Sequence, residues 1–191
     1  MRKLVVTENI SLDGVIEAKD YWFGPAGDGD PADAENDQSD LVDEIRQQRE
    51  AADAFLVGRT TFEQMRSYWP QQTDDTTGVT DYLNKVAKYV VSASLEDPDW
   101  EPTTILSGPL RDDITGLKAQ PGKDIVTTGS ITLVHSLIAE GLVDEYRLFV
   151  YPVVVGRGEK LFTDAEKMAK LKLLQTRTFS SGVVLLRYGI K

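Results

Sequence analysis

Short apolar runs rich in β-branched residues alternate along this chain with longer segments whose apolar positions recur at helical spacing. KLVVTE (3–8) and AFLVG (54–58) read as buried strands. Between them GPAGDGDPADAENDQSD (24–40) is crowded with turn formers and has no periodicity, which predicts a long loop. Connections longer than about 12–15 residues are usually functional or disordered, so this stretch is expected to be a flap over an active site. Ser39 or Asp40 offers an N-cap for the next helix, with Leu41, Ile45 and Ala52 as its apolar face. TTFEQMRSYW (60–69) reads as a helix with Met65 and Tyr68 facing the core, and TDYLNKVAKYVVS as a helix followed by the strand KYVVS (88–92). TTILSG (103–108) is a strand that precedes the amphipathic PLRDDITGLKAQ. DIVTTGS (124–130) leads into ITLVHSLIAEGL, where Gly141 signals a helix stop. EYRLFVYPVVVG (145–156) is the longest strand signal, and Tyr151-Pro152 within it marks an edge or a bend. LKLLQTRTF, SSG and VVLLRYGIK form a terminal hairpin.

This alternation predicts an α/β fold, a mostly parallel central sheet with helices on both faces. The hairpin adds antiparallel pairing at the carboxy-terminal edge. A chain of 191 residues is expected to make a single domain, 1–191.

Composition narrows the chemistry. Zero Cys excludes disulfides, thiolate metal sites and thiol nucleophiles, and a lone His, His135, excludes any site needing two imidazoles. No metal is therefore expected. The formal charge of -10 argues against a nucleic-acid partner, which would require clustered cations. The start MRKLVVTENIS lacks a signal-peptide core, and no run approaches the ~20 apolar residues of a membrane span, so a cytoplasmic location is expected.

Three strand-to-helix junctions concentrate small and hydroxyl residues: VGRTTFEQM (57–65), YVVSASLED (89–97) and VTTGSITLV (126–134). In open α/β sheets, ligands bind outside the carboxyl ends of the strands. Helix N-termini there present free N–H groups that suit phosphate. Gly58 and Gly129 allow close backbone approach, while Thr60, Thr61, Ser130 and Thr132 add hydroxyls and Arg59 a planar guanidinium. Neither G-x-G-x-x-G nor G-x-x-x-x-G-K-[ST] occurs, which argues against a standard Rossmann dehydrogenase and a P-loop enzyme.

These junctions, with SLDGVIE (11–17) and the stretch VTTGSITLVHSLIAEGLVDEYRLFVYPVVVGRGEKLF (126–162), resemble the dihydrofolate reductase superfamily. The likeness is greatest to stand-alone proteins similar to the carboxy-terminal reductase domain of the bifunctional riboflavin-biosynthesis deaminase/reductase. The resemblance implies a dihydrofolate-reductase-like sheet with an antiparallel carboxy-terminal strand and NADPH across its carboxyl edge. On that basis Gly58, Arg59, Thr60 and Thr61 would cradle the adenine-side phosphates, with Arg59 and Ser92 favouring the 2′-phosphate. Gly129, Ser130, Ile131 and Thr132 would hold the pyrophosphate, and Val6, Thr7 and Gly14 would border the nicotinamide. Asp13, Trp22 and Asp43 are the candidate substrate-binding residues. Two departures from dihydrofolate reductases stand out: Thr128-Gly129 replaces a Gly-Gly pair, and Val42 falls where an acid is usual.

The expected function is an NADPH-dependent reductase acting on a C=N or C=O bond of a pyrimidine- or pterin-like molecule, with a homodimer as the possible assembly. The alternatives are the riboflavin-pathway reductase of a ribosylated aminouracil and a non-catalytic dinucleotide-binding module. Asp40, Asp43 and Glu44 are the acids available on the helix after the flap, and no catalytic residue is assigned.

Overall fold

The computed structural model describes residues 1–19, 22–23, 38–75, 77–163 and 169–191. Its strands are β1 (Leu4–Ser11), β2 (Ala52–Gly58), β3 (Ala87–Val91), β4 (Thr103–Leu106), β5 (Asp124–Thr127), β6 (Glu145–Tyr151), β7 (Leu171–Thr178) and β8 (Val184–Ile190). They form one sheet in the order β4-β3-β2-β5-β1-β6-β8-β7. The six strands from β4 to β6 run parallel, and β8 and β7 close the far side antiparallel. The helices are α1 (Ser39–Glu50), α2 (Arg59–Tyr68), α3 (Val79–Lys85), α4 (Leu110–Ala119) and α5 (Ile131–Ala139). This is the dihydrofolate-reductase-like architecture expected from the sequence.

Strand alternation assigns each sheet face its own helices. Leu4, Val6, Ala54, Leu56 and Ile125 pack with Ile114 and Leu117 of α4 and Leu133, Val134 and Leu137 of α5. On the other face Phe55 and Val57 meet Phe62 of α2 and Leu83 of α3. Further along that face, Leu41 of α1 packs with Phe149 and Leu185. These central strands are buried on both sides, which explains their near-continuous apolar runs.

The structure corrects several local expectations. β1 continues to Ser11 because its pairing with β6 carries Thr7, Glu8 and Asn9 into the ladder. β6 stops at Tyr151 and lies between β1 and β8, so Pro152, which has no N–H to donate, falls just beyond an interior strand. Gln38, not Ser39 or Asp40, is the N-cap of α1, and it makes no side-chain capping bond. Ala52 belongs to β2, because it pairs with Asp124 rather than continuing the helix. Tyr68 is 55% exposed. Of the expected flap, 24–37 lie outside the described residues, and 39–40 open α1.

Candidate functional site

β2 sends its chain toward β3 on one side, whereas β5, its neighbour, sends its chain toward β6 on the other. The carboxyl ends of β2 and β5 therefore flank a topological switch point, where open α/β sheets bind ligands. Two helices start there. Gly58 is the N-cap of α2 and Ser130 the N-cap of α5; neither helix has a side-chain cap or an acidic residue in its first turn. By contrast, α1, α3 and α4 each carry an acid in the first turn. The helix dipole favours negative charge at an N-terminus, and the acids of the other three helices supply it. At α2 and α5 that charge is left for something else to provide.

The two starts are linked directly. The Gly58 amide donates to Ser130 Oγ at 3.0 Å. Gly129 has φ of 60° and Ser130 φ of 49°, a left-handed pair that leads straight into the right-handed α5. Such a reversal turns successive N–H groups toward one concavity, the geometry of an anion nest. A Cβ on Gly129 would lie 3.7 Å from Thr61 Cγ2, which places the first turn of α2 against this turn. Thr60 and Thr132 are exposed, whereas Ile131 packs into the core below.

Arg59 stands at the outer end of the crevice. Its Nε donates to Glu63 at 2.8 Å and its Nη1 to Ser94 Oγ at 2.5 Å. Ser92 does not reach toward Arg59 in the same way. Its buried hydroxyl accepts from the amides of Ser94 (3.2 Å) and Leu95 (3.0 Å), fixing the turn that presents Ser94. Ser94 lies within the predicted junction 89–97, where the resemblance gives only Ser92 a role.

A notch opens at the centre of the sheet. The pairing of β1 with β5 ends at Val6↔Thr127, whereas β1 stays paired with β6 up to Ser11↔Tyr151. From Thr7 onward the β5-facing edge of β1 has no strand partner. The Val6 side chain is fully buried in the core on the α4/α5 side. Thr7 and Asn9 face the opposite side, and with Thr128 they border a cavity of about 240 Å³. Its walls are largely apolar, among them Phe55, Trp69 and Phe149. Glu8 alternates to the α4/α5 face and is 4% exposed. Its carboxyl meets the Gly129 amide and the Thr128 side chain, Oε1 is buried without a partner, and burial pushes its pKa well above the usual range. Glu8 and Asn9 were missed from the sequence; their polarity inside an otherwise apolar strand was the available signal.

Of the expected substrate-binding residues, Asp13 lies beside this notch in a structural clamp. Its Oδ1 accepts from Ser11 Oγ (2.7 Å) and the Val155 amide (3.1 Å), and its Oδ2 from the Gly156 amide (2.8 Å). These donors hold the carboxyl at about 2, fully ionised. Gly14 (φ 89°) completes the turn, and its carbonyl accepts from Leu161. Trp22 donates from Nε1 to the Glu17 carbonyl and stacks edge-on against Phe23 and Tyr151. Asp43 is not brought to the cavity. Its side chain is 55% exposed and pairs with Arg46 on the outer face of α1. Two other acids on that helix are committed elsewhere, Glu44 to Arg177 and Asp40 to Ser180. No helix among the described residues is long and apolar enough to cross a membrane.

Comparisons with known proteins agree with this fold. The model of the RibD C-terminal domain family matches residues 2–185. The uncharacterized protein YyaP of Bacillus subtilis is 33% identical over 191 residues, covering 98% of this chain and 94% of that protein. YwjB of the same organism is 30% identical over 188 residues, covering 96% of each. A pyrimidine reductase-like protein from Corynebacterium diphtheriae superimposes with a TM-score of 0.61 at 16% identity, over 100% of this chain and 92% of that one. The diaminohydroxyphosphoribosylaminopyrimidine deaminase/5-amino-6-(5-phosphoribosylamino)uracil reductase of Thermotoga maritima gives 0.65 at 15% identity, over 100% of this chain and 57% of that one. The fold is shared with both structures, and the chain belongs to the RibD C-terminal domain family.

Proposed function

We propose that this protein is an NADPH-dependent reductase that delivers a hydride to a C=N or C=O bond of a small pyrimidine- or pterin-like heterocycle. The observation that carries the reading is the pair of uncapped, acid-free helix N-termini joined by the Gly58–Ser130 bond at the switch point. Membership of a reductase-domain family supports it.

The donor set fits a dinucleotide. In this reading the first-turn amides of α5, with Gly129 and Ser130, hold the pyrophosphate, and Gly58 with the first turn of α2 holds the adenosine-side phosphate. Arg59 grips a 2′-phosphate with Ser94 beside it, and a charge-assisted pair of this kind selects NADPH over NADH. The open edge of β1 from Thr7 offers its unpaired backbone groups to a carboxamide. Bound NADPH supplies the hydride; the protein supplies orientation and exclusion of water. The apolar cavity wall excludes that water.

The riboflavin-pathway reductase of a ribosylated aminouracil is the second reading, favoured by the family match. A homodimer in the cytoplasm belongs to the same proposal, and light scattering on the purified chain tests the assembly. Turnover is tested by following NADPH oxidation with a panel of cyclic imines, pterins and ribosylaminopyrimidines. Oxidation with any of them supports a reductase, and the identity of the acceptor separates the two readings. Saturable binding without oxidation across the panel would reduce the protein to a dinucleotide-binding module.

A further inference from the structure

The cavity beside the notch holds an unbalanced charge. Among the described residues that line it, Arg49 of α1 is the one charged side chain, and no carboxylate faces it. Arg49 Nη2 donates to the Thr77 carbonyl at 3.3 Å, whereas Nε and Nη1 are buried with no acceptor. Two neighbouring side chains share this condition: Gln48 Oε1 and Thr7 Oγ1 both belong to the cavity wall and both lack a partner. Buried polar groups without partners are costly, and a cluster of three on one cavity calls for a ligand that completes them.

Nearby acids do not supply the missing acceptor. Asp75 is bound by the Thr77 amide and hydroxyl and by the Thr80 amide. Glu44 is held by Arg177 and by the Gln48 amide nitrogen. On its outer side Arg49 borders an open groove that Glu50 also lines, where Asp53 pairs with Arg2 and Asp81 with Lys85, and none of these carboxylates reaches Arg49 Nε or Nη1. Tyr82 shares both walls, and burial raises its phenol to about 12, which keeps it uncharged. Arg46, the nearest other cation on α1, faces outward to Asp43.

We infer that Arg49 determines specificity in this cavity, and that the molecule bound there is a small planar ring bearing an anionic oxygen group such as a carboxylate. Gln48 Oε1 takes an N–H or O–H of the same ligand. The cavity volume of about 240 Å³ accommodates one or two rings. Among the described residues, a wall without acids and with one guanidinium disfavours a cationic or amidine-like ring. This inference rests on the reading of the cavity as the place of the hydride acceptor, and its test separates the two.

The test is calorimetric titration of the full chain, with and without saturating NADPH, using 2-naphthoate and its neutral counterpart 2-naphthamide as probes. The expected result is at least tenfold tighter binding of the acid. Arg49→Met and Arg49→Gln should both abolish that preference while leaving amide binding and NADPH affinity unchanged, and Arg49→Lys should restore part of it. Equal binding of acid and amide, no binding of either, or a preference that survives in Arg49→Met and Arg49→Gln would overturn the inference. An intact acid preference in a protein that binds no NADPH would instead reject the reductase reading and leave the Arg49 site standing.

Discussion

The Gly58 amide and the Ser130 hydroxyl, 72 residues apart in sequence, meet at 3.0 Å and tie the ends of two neighbouring parallel strands together. Beside the packing of Thr61 against Gly129, this bond is the polar link between the two helix starts. With it, the two amide clusters keep a fixed spacing, as the phosphates of the proposed dinucleotide would require.

Ser130→Ala should therefore weaken NADPH binding about as much as it weakens the fold. The lost hydrogen bond should cost about 0.5–1.5 kcal/mol of stability, the strain of φ 49° being carried by serine already. NADPH affinity should fall roughly tenfold, equivalent to about 1.4 kcal/mol. Ser130→Gly relieves the backbone but not the lost bond, so it should recover stability and leave the affinity low. Calorimetry and urea unfolding on both variants check this.

Glu63 occupies the Arg59 guanidinium that the proposed 2′-phosphate needs. Glu63→Gln should tighten NADPH binding by about two- to fivefold and leave NADH binding unchanged, at a stability cost near 0.3–0.5 kcal/mol for an exposed i,i+4 pair. Parallel titrations with the two dinucleotides show whether the gain is confined to NADPH.

Glu8 sets a pH dependence of stability. Its pKa in the fold is raised above 4.5 by burial, so the folded state holds the proton more tightly than the unfolded chain. Its contribution to stability is full below the unfolded value and is lost as pH rises through the folded one, by at most about 1.4 kcal/mol per pH unit. Glu8→Gln copies the protonated form and should gain on the wild type in urea unfolding as pH moves from about 5 to about 8. A variant that loses ground over that interval would contradict the assignment.

The opposite end of the sheet carries an ion network independent of the site. Glu145, 1% exposed, accepts from Arg147 Nε and from Arg187 Nε and Nη2, and it pairs with Lys3. These partners hold its carboxyl at about 2. Its stabilisation is complete above 4.5 and is lost as pH falls through about 2. Glu145→Gln leaves Arg147 buried with Asp124 alone and should cost about 3–5 kcal/mol, with NADPH affinity of the folded fraction unchanged.

The fold was legible because its strands are buried on both faces and its helices on one, so the two periods separate cleanly in the sequence. The phosphate-side junctions were legible for a related reason: Gly58, Gly129 and the hydroxyls around them sit where apolar runs stop. What stayed hidden depends on which neighbour a side chain finds. Asp13 was visible as a turn residue, but its clamp requires amides from Val155 and Gly156, which lie 142 and 143 residues away. Asp43 and Glu44 are adjacent in sequence, yet helical rotation sends one to solvent and the other to Arg177. Arg49 gave no signal at all, because a charged residue near a helix end reads as a solvated face until α3 and its preceding loop pack beside it.

The central claim is that the crevice between β2 and β5 binds NADPH through Arg59 and the two helix starts. Calorimetric titration of the purified chain with NADPH and NADH, repeated with Arg59→Ala, tests it most directly. The expected result is saturable one-to-one binding of NADPH, at least about tenfold tighter than NADH, with that preference abolished in Arg59→Ala. Absence of saturable binding at millimolar NADPH, or equal affinity in the wild type and Arg59→Ala, would contradict it.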